Sequence, residues 1–267
     1  MREASRYLRP VGLSGIEAVH ARFVRHSYRP HSHPTWTVAV VEAGAARFSL
    51  DATRQQARAG EIFVLEPEAV HTGTAAVPEG WAYKVLYVPP DVLREWAQAA
   101  GAPPGAARWV VFRDPILWAR LLCAHAALAG EPLGLGVDVP VAEAVAALRP
   151  HLCAGVSATR RLRAEHPAVA RAIAHLRERW NRRVLLSELA DVARLSRFEL
   201  VRRFHNQVGL PPHAFQTDLR ISRARRLLLA GTPPAEVAFC CGFADQAHFT
   251  RSFRASVGVP PARFARA

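Results

Sequence analysis

Two segments near the C-terminal end of the chain repeat arginines and small polar side chains on one helical face. In residues 196–207, that face carries Phe198, Val201, Arg202 and His205, and Arg197 and Arg203 lie beside it. In residues 245–256, the equivalent face carries Gln246, Ala247, Thr250, Arg251 and Arg254. Arginine bonds guanine in bidentate fashion, glutamine bonds adenine, and apolar groups meet the thymine methyl. Except for His205, all of these residues are therefore predicted to contact DNA, with Arg202 and Arg251 as base readers and Arg197, Arg203 and Arg254 on phosphates.

A third group of arginines lies between these two segments. Arg220, Arg223 and Arg226 recur every third residue along a predicted helix from Pro212 to Ala230. Phosphate contacts of this kind position a protein without specifying sequence. Such a helix spans ~28 Å, close to the ~34 Å of one turn of B-DNA. It is long enough to place two reading helices in successive major grooves.

The elements that hold these side chains are predicted as two helix-turn-helix units, Ser187–Gln207 and Pro233–Ser256. In this motif the first helix braces the second, whose N-terminal end enters the major groove. Ser187 and Ser196 stand where N-caps are expected, and Gly242 stands where a tight turn needs glycine. Apolar residues repeat every fourth position in both second helices, which predicts one buried stripe in each. The stripes are Leu200, Phe204 and Val208, and Phe249, Phe253 and Val257.

The charge of the chain is concentrated at the same end. The formal net charge is +13, and residues 160–267 hold 20 arginines against 8 acidic residues. Residues 1–159 hold 15 basic residues against 14 acidic ones. A GC-rich genome explains arginine in place of lysine but does not explain why the balance changes at one boundary. The asymmetry indicates nucleic-acid binding by the C-terminal part.

The N-terminal half offers a different chemistry, based on histidine. His31 and His33 precede an apolar strand, and His71 follows another. Three interpretations remain open: an effector pocket walled by Trp36 and Tyr83, packing at the mouth of a barrel, or a metal site held by three imidazoles. The pocket is the prediction, formed by His31, His33, Trp36, His71 and Tyr83, with no metal, no cofactor and no catalytic residue.

Short apolar runs separated by turn residues predict strands through residue 88, and helices follow from Asp91. Strands are expected at 36–41, 47–50, 62–65 and 81–88, with a turn at 42–44. Helices are expected over 91–100, from the Asp114-Pro115 cap to Ala129, over 138–148 and from Pro167. The predicted fold class is α+β with two domains: residues 1–150 as a β-barrel with following helices, 151–166 as a linker, and 167–267 as an all-α domain.

The C-terminal hundred residues resemble the AraC/XylS family of bacterial transcription regulators. The resemblance rests on Leu186-Ser187-Glu188-Leu189-Ala190, Leu195-Ser196, Leu200, Arg202, Phe204, Gly209, Pro211-Pro212, Phe215, Arg220, Ala224, Leu227-Leu228, Val237-Ala238, Cys241-Gly242-Phe243, Asp245-Gln246-Ala247-His248-Phe249, Phe253, Gly258, Pro260-Pro261 and Phe264. It implies a DNA-binding domain with two reading helices driven by an N-terminal sensing domain.

The histidine segments resemble the two cupin motifs. His31-Ser32-His33 matches H-x-H, and Pro67 to His71 matches P-x-x-x-H after the strand that Gly60 leads. The resemblance implies a cupin-like sensing barrel, with a dimer contact from the helices between Asp91 and Leu148. Metal-binding cupins add a glutamate after the second histidine. Trp36-Thr37-Val38 stands there instead, which argues against a metal site.

The function predicted from these observations is a sequence-specific transcription regulator that responds to a small-molecule effector, and not an enzyme. Its expected partners are double-stranded DNA, the effector, a second copy of the chain and RNA polymerase. No apolar run reaches membrane-spanning length, and no export signal follows Met1. Together with four cysteines without metal-type spacing, this predicts a cytoplasmic protein. The alternatives are a cupin metal enzyme fused to a DNA-binding tail and a regulator that acts without a ligand.

Overall fold

The computed structural model describes residues 3–9, 15–50, 53–99, 106–107, 110–130, 135–153 and 166–266. Contacts between Cα atoms divide the chain into two compact units. One takes Met1–Ser27 and Ser32–Ala158, and the other takes Tyr28–His31 and Thr159–Arg266. Apart from its two ends, the predicted linker at 151–166 lies outside the described residues.

The first unit is built on antiparallel strands. Numbered along the chain, with β3 Tyr28–His31 belonging to the second unit, the strands are β1 Ala4–Leu8, β2 Glu17–Phe23, β4 Trp36–Leu50, β5 Thr53–Arg58, β6 Ile62–Leu65, β7 His71–Ala75, β8 Trp81–Val88, β9 Ala106–Ala107, β10 Val111–Phe112 and β11 Leu152–Cys153. The main sheet runs β1-β2-β8-β4-β6-β10, while β5 and β7 pair with the far half of β4. The central strands β4 and β8 are buried on both faces, which matches their valine-rich sequences.

Strand β4 differs from the expectation of two strands joined by a turn. It continues through residues 42–44, where a β-bulge shifts the register to β8 between Val41 and Ala43. Gly44 takes φ +69°, and a Cβ at this position would lie 1.9 Å from the carbonyl oxygen of Gly80. A glycine in a strand marks a bulge as well as a turn, so the bulge lets one strand join both halves of the barrel.

Three helices and a short 3-10 turn pack on one face of the main sheet. The helices are α1 Pro90–Ala99, α2 Pro115–Ala129 and α3 Leu135–Leu148, and the turn is Arg149–His151. The predicted cap is confirmed: the Asp114 carboxylate accepts the N–H groups of Ile116 and Leu117 at 2.8 and 3.0 Å. Leu93, Leu117 and Leu121 join strand residues of alternate positions in one apolar core.

The second unit is helical apart from β3. Its helices are α4 Pro167–Glu178, α5 Leu186–Ala193, α6 Arg197–Val208, α7 Pro212–Leu229, α8 Pro234–Cys240, α9 Gln246–Val257 and α10 Pro261–Ala265. The predicted fold class, a sheet-rich unit before a helical unit, is confirmed. No described helix has both the length and the apolar composition needed to cross a bilayer.

The predicted helix boundaries in the second unit are confirmed with one exception. Helix α5 begins earlier than expected, with Leu185 at the N-cap position and Ser187 inside the first turn. The prediction that Ser187 caps this helix is therefore wrong. The Leu185 carbonyl already accepts the N–H of Leu189 at 3.0 Å, because the extended backbone before the helix turns at Leu185.

Candidate DNA interface and effector pocket

Helices α5 and α6 form the first helix-turn-helix unit. Helix α5 ends at Arg194, whose φ of 56° lies in the left-handed region. Ser196 caps α6, its hydroxyl accepting the N–H of Glu199 at 3.2 Å. Leu200 and Phe204 are fully buried, so the predicted stripe faces the core. The opposite face of α6 is thereby presented to solvent.

The five predicted contact residues of α6 lie on or beside this solvent face. Arg197, Phe198 and Arg202 are exposed, and Val201 and Arg203 are half-buried. Phe198 is 77% exposed and therefore packs on no neighbouring helix. Its side chain is therefore available to contact DNA, as predicted.

Glu199 is a residue of this site that the sequence argument missed. Its carboxylate accepts bonds from both nitrogens of the Arg202 fork, at 2.8 to 3.1 Å, and from Nε of Arg203. These hydrogen bonds, that of Arg202 first, hold the pKa of Glu199 below its usual range. The spacings of three and four residues along one helix are the signal that would have predicted these pairs.

Helices α8 and α9 form the second helix-turn-helix unit and repeat the geometry of the first. The Asp245 carboxylate caps α9, accepting the N–H of His248 at 2.6 Å. Phe249, Phe253 and Val257 are buried. Among the predicted contacts, Thr250 is half-buried and the others are exposed: Gln246, Ala247, Arg251 and Arg254.

The three arginines of the connecting helix α7 are not equivalent. Arg223 and Arg226 are exposed, as a phosphate contact requires. Arg220 instead donates to the carbonyl oxygens of Trp180 and Arg182 at 3.0 and 2.9 Å, and its guanidinium lies over the Phe243 ring. Burial lowers its pKa. Arg220 thus joins α7 to the segment after α4, which places it differently from the expectation of a phosphate contact.

Two of the predicted histidines, His33 and His71, come together in the first unit. Ligand nitrogens of His31, His33 and His71 all lie within 4.8 Å of one another. The rings of His33 and His71 are 5.1 Å apart, and His33 lies 4.9 Å from the ring of Tyr87. Tyr87 was missed, although its alternation with Tyr83 on β8 places both side chains on one face.

Two further polar groups lie buried on this side of the barrel. Thr37 pairs with Tyr87 across β4 and β8, so their side chains share a face. The Thr37 hydroxyl and the indole N–H of Trp81 have no hydrogen-bond partner among the described residues. Trp81 stacks on Tyr83 at 3.9 Å between ring centroids. These groups can bond a ligand inside the barrel.

Trp36 lies elsewhere. It is 6% exposed and belongs to the core that packs against helices α1–α3. Trp36 and Thr37 are neighbours in a strand, and neighbouring side chains point to opposite faces. The expected role of Trp36 as a wall beside the histidines does not fit this placement.

Burial sets the protonation state of the histidine site. Removal from water lowers the pKa of His71 to about 4, while a bond to the Ala69 carbonyl opposes that shift. The Nδ1 of His71 is 2.9 Å from this oxygen, and the Nδ1 of His31 is 2.7 Å from the carbonyl of Arg29. A neutral His71 is suited to bonding an uncharged polar ligand and also to holding a metal.

Comparison with known proteins agrees with both halves of this description. A model of the AraC-like ligand binding domain matches residues 13–148, and a model of a helix-turn-helix domain matches residues 189–267. The first match covers half of the chain.

Curated proteins similar to this chain are transcription regulators. YbfI of Bacillus subtilis (strain 168), an uncharacterized HTH-type transcriptional regulator, is 24% identical over 236 residues, covering 87% of this chain and 85% of that protein. MtrA of Neisseria gonorrhoeae, an HTH-type transcriptional regulator, is 37% identical over 89 residues, covering 33% of this chain and 28% of that protein. ToxT from Vibrio cholerae O395 has a similar fold, with a TM-score of 0.54 at 12% identity over 94% of this chain and 97% of that one. The chain therefore belongs to the AraC family of transcriptional regulators, in which an AraC-like ligand-binding domain precedes a helix-turn-helix domain.

Proposed function

We propose that this regulator binds its operator with α6 and α9 in successive major grooves and changes its DNA affinity when a small polar effector enters the barrel. The observation that carries the DNA part is the shared geometry of the two helices. Each has a side-chain N-cap, a buried aromatic stripe and an exposed basic face. The 18 residues of α7 span ~27 Å, which suits one turn of the double helix.

The individual roles follow from exposure and charge. Arg251 is exposed on the first turns of α9 and has no ion pair among the described residues, so it is the leading candidate for guanine. Arg197, Arg223, Arg226 and Arg254 are exposed cations suited to phosphates. The structural bonds of Arg220 favour a brace that holds α7 in position.

The DNA role is tested with Arg251→Ala in the full chain. Sites are first selected from random duplexes, and affinity is then measured by fluorescence anisotropy at several salt concentrations. The variant should lose about tenfold or more of specific affinity, because a bidentate arginine–guanine pair contributes ~1–3 kcal/mol. Arg94→Ala, which removes an exposed arginine from α1, is the matched control and should bind like the parent. Equal losses in both variants would contradict the assignment.

The effector site is proposed inside the barrel, around Thr37 and Tyr87 with His33 and His71. A buried polar group left unpaired costs ~1–3 kcal/mol. The Thr37 hydroxyl therefore favours a ligand that supplies a hydrogen-bonding group. The rings of His33, His71 and Tyr87 on the same side suit a flat or ring-shaped molecule.

Thr37→Val tests this site because valine keeps the shape and removes the hydroxyl. A library of small polar metabolites is screened by thermal shift and by DNA affinity. We expect the variant to fold as stably as the parent and to lose the response to any effector that the parent shows. An effector response of full size in Thr37→Val would place the ligand elsewhere.

Two further partners are proposed on narrower grounds. Ile116 on α2 is 71% exposed and Val139 on α3 is 46% exposed. These apolar side chains support a homodimer contact through α2 and α3. In analytical ultracentrifugation, Ile116→Glu should sediment as a monomer where the parent sediments as a dimer. Contact with RNA polymerase stays a prediction from the family.

The three-histidine cluster favours one alternative, a metal-dependent cupin enzyme joined to a DNA-binding unit. Elemental analysis of purified protein separates the two functions. A bound transition metal in equal stoichiometry, together with turnover of a substrate, would favour the enzyme. Effector-dependent DNA binding without such turnover would favour the regulator.

A further inference from the structure

The two reading helices have the same geometry but different free side chains. In α6, the only acidic residue, Glu199, occupies both Arg202 and Arg203. In α9, the sequence from Gln246 to Val257 contains no acidic residue, and the one acid beside it, Asp245, is used as the N-cap. Among the described residues, the arginines of α9 have no ion pair and can bond DNA, whereas two of the three on α6 are paired with Glu199.

The ion pairs of Glu199 affect how α6 can bind in a major groove. To bond guanine in bidentate fashion, Arg202 must release the Glu199 carboxylate. That carboxylate would then face phosphates and base edges in a partly desolvated interface, where an unpaired charge is costly. With the pair intact, Arg202 and Arg203 neutralise Glu199 beside the phosphates, so the cost of an unpaired carboxylate is avoided.

The side chains of α6 that are available to meet bases are apolar. Phe198 is 77% exposed in the first turn, and Val201 follows one turn later on the same side. The N-terminal residues of a recognition helix are those that meet base edges. The apolar group that the major groove presents is the C5-methyl of thymine. Arg197, directly before Phe198, supplies a cation for the adjacent phosphate.

The side chains of α9 that are available to meet bases are polar. Gln246 and Arg251 are exposed in its first two turns. These side chains match the hydrogen-bonding edges of adenine and guanine. We propose that the two helices recognise different base chemistry: α6 reads thymine methyl groups through Phe198 and Val201, whereas α9 reads purine edges through Gln246 and Arg251. This inference rests on the proposed DNA-binding function.

Modified bases in a selected operator test the proposal. Full-length protein selects its site from random duplexes, and the loss of contacts in Phe198→Ala and Arg251→Ala assigns each half-site to a helix. Deoxyuridine then replaces thymidine, which removes only the methyl group, and 7-deazaguanine replaces guanine, which removes only the N7 acceptor. Each replacement is made in one half-site at a time.

In the α6 half-site, deoxyuridine should weaken binding of the parent about fivefold or more, and it should have a smaller effect on Phe198→Ala, which retains only Val201 as an apolar reader. In the α9 half-site, 7-deazaguanine should weaken binding of the parent about tenfold and should not affect Arg251→Ala. Phe239→Ala removes a phenylalanine that is 85% exposed on the bracing helix α8. It is the matched control and should keep full sensitivity to deoxyuridine.

A second variant tests the role of the ion pairs. Glu199→Gln should free Arg202 and Arg203, so the slope of log affinity against log salt should steepen by about one to two units. The α6 half-site should then become sensitive to 7-deazaguanine or less selective for thymine.

The outcomes separate this inference from the proposed function. Failure to enrich any duplex would overturn the DNA-binding function itself. An enriched site whose α6 half lacks thymine, or is sensitive to 7-deazaguanine and not to deoxyuridine, would overturn only the division of base chemistry. A deoxyuridine effect of full size in Phe198→Ala would do the same.

Discussion

Buried histidines show how strongly the surroundings of a single side chain change its chemistry in this protein. Burial lowers the pKa of His71 in the barrel to about 4. Burial, with the nearby charge of Lys84, lowers the pKa of His125 in α2 to about 3. Both are neutral in the folded state at pH 7, whereas an unfolded chain protonates them near the ordinary value of about 6.5. The folded state thus loses stability as pH falls below 6.5, because His71 and His125 then bind protons in the unfolded chain but stay unprotonated in the folded chain.

His125→Leu should reduce this acid sensitivity. A difference of two pH units below 6.5 corresponds to about 2–3 kcal/mol for one group that stays unprotonated when folded. Between pH 6.5 and 4.5 the variant should therefore lose that much less unfolding free energy than the parent. Urea unfolding followed by tryptophan fluorescence measures the loss. His213→Gln, at an exposed position of α7, is the control and should follow the parent; identical acid profiles for all three proteins would contradict the assignment.

The turns of the two helix-turn-helix units are built by the same hydrogen bonds from different residues. In the first unit, the N–H of Arg194 donates to Asp191 and that of Leu195 to Ala190. In the second, the N–H of Gly242 donates to Phe239 and that of Phe243 to Ala238. Arg194 and Gly242 both have positive φ, at 56° and 70°. A side chain in the left-handed region is strained by ~1–2 kcal/mol, so only the second turn has the residue that suits it.

Exchanging these residue types should change stability in opposite directions. Arg194→Gly relieves the strain and should raise the unfolding free energy by up to about 1 kcal/mol after the entropy cost of glycine. Gly242→Ala should lower it by more than about 2 kcal/mol, because the new Cβ would lie 1.9 Å from the carbonyl oxygen of Asn181. Thermal and urea unfolding of the full-length proteins measure both. Destabilisation by Arg194→Gly would show that its side chain matters more than its backbone.

The two parts of the chain differ both in charge and in architecture. The arginine excess lies in the second unit, and the buried polar cluster lies in the sheet-rich part of the chain. Within the second unit, a continuous helix of 18 residues connects the two reading units. Such a helix fixes the spacing of what it joins, since its length cannot adjust as a flexible loop would.

Changing the spacing of the operator should therefore abolish specific binding. Insertion of five base pairs between the half-sites turns one of them to the opposite face of the DNA. Insertion of ten restores the face but doubles the separation to about two turns, beyond the ~27 Å of α7. Both duplexes should bind only at the non-specific level in anisotropy titrations. Full recovery with ten base pairs would mean that a flexible arrangement or two copies of the chain read the two half-sites.

Local signals were sufficient for the helical unit. Ser196, Asp245 and Gly242 act within a few residues of themselves, and the stripes of Leu200 and Phe249 repeat with the period of one helix. Caps, turns and periodicity are local properties, so the sequence predicts the tandem units and their exposed basic faces. The charge boundary and the histidine motifs were equally visible, since composition and spacing need no tertiary information.

Only the tertiary structure decided which of these side chains are available. The continuous β4 depends on Gly44 meeting Gly80, the placement of Trp36 depends on which face of β4 the helices cover, and the inward bonds of Arg220 depend on carbonyl groups 38 and 40 positions earlier in the chain. Such contacts join residues that are far apart in sequence, and no local pattern specifies them. The residue types present were thus determined by the sequence alone, while their freedom to bind DNA or a ligand was set by how the distant segments pack.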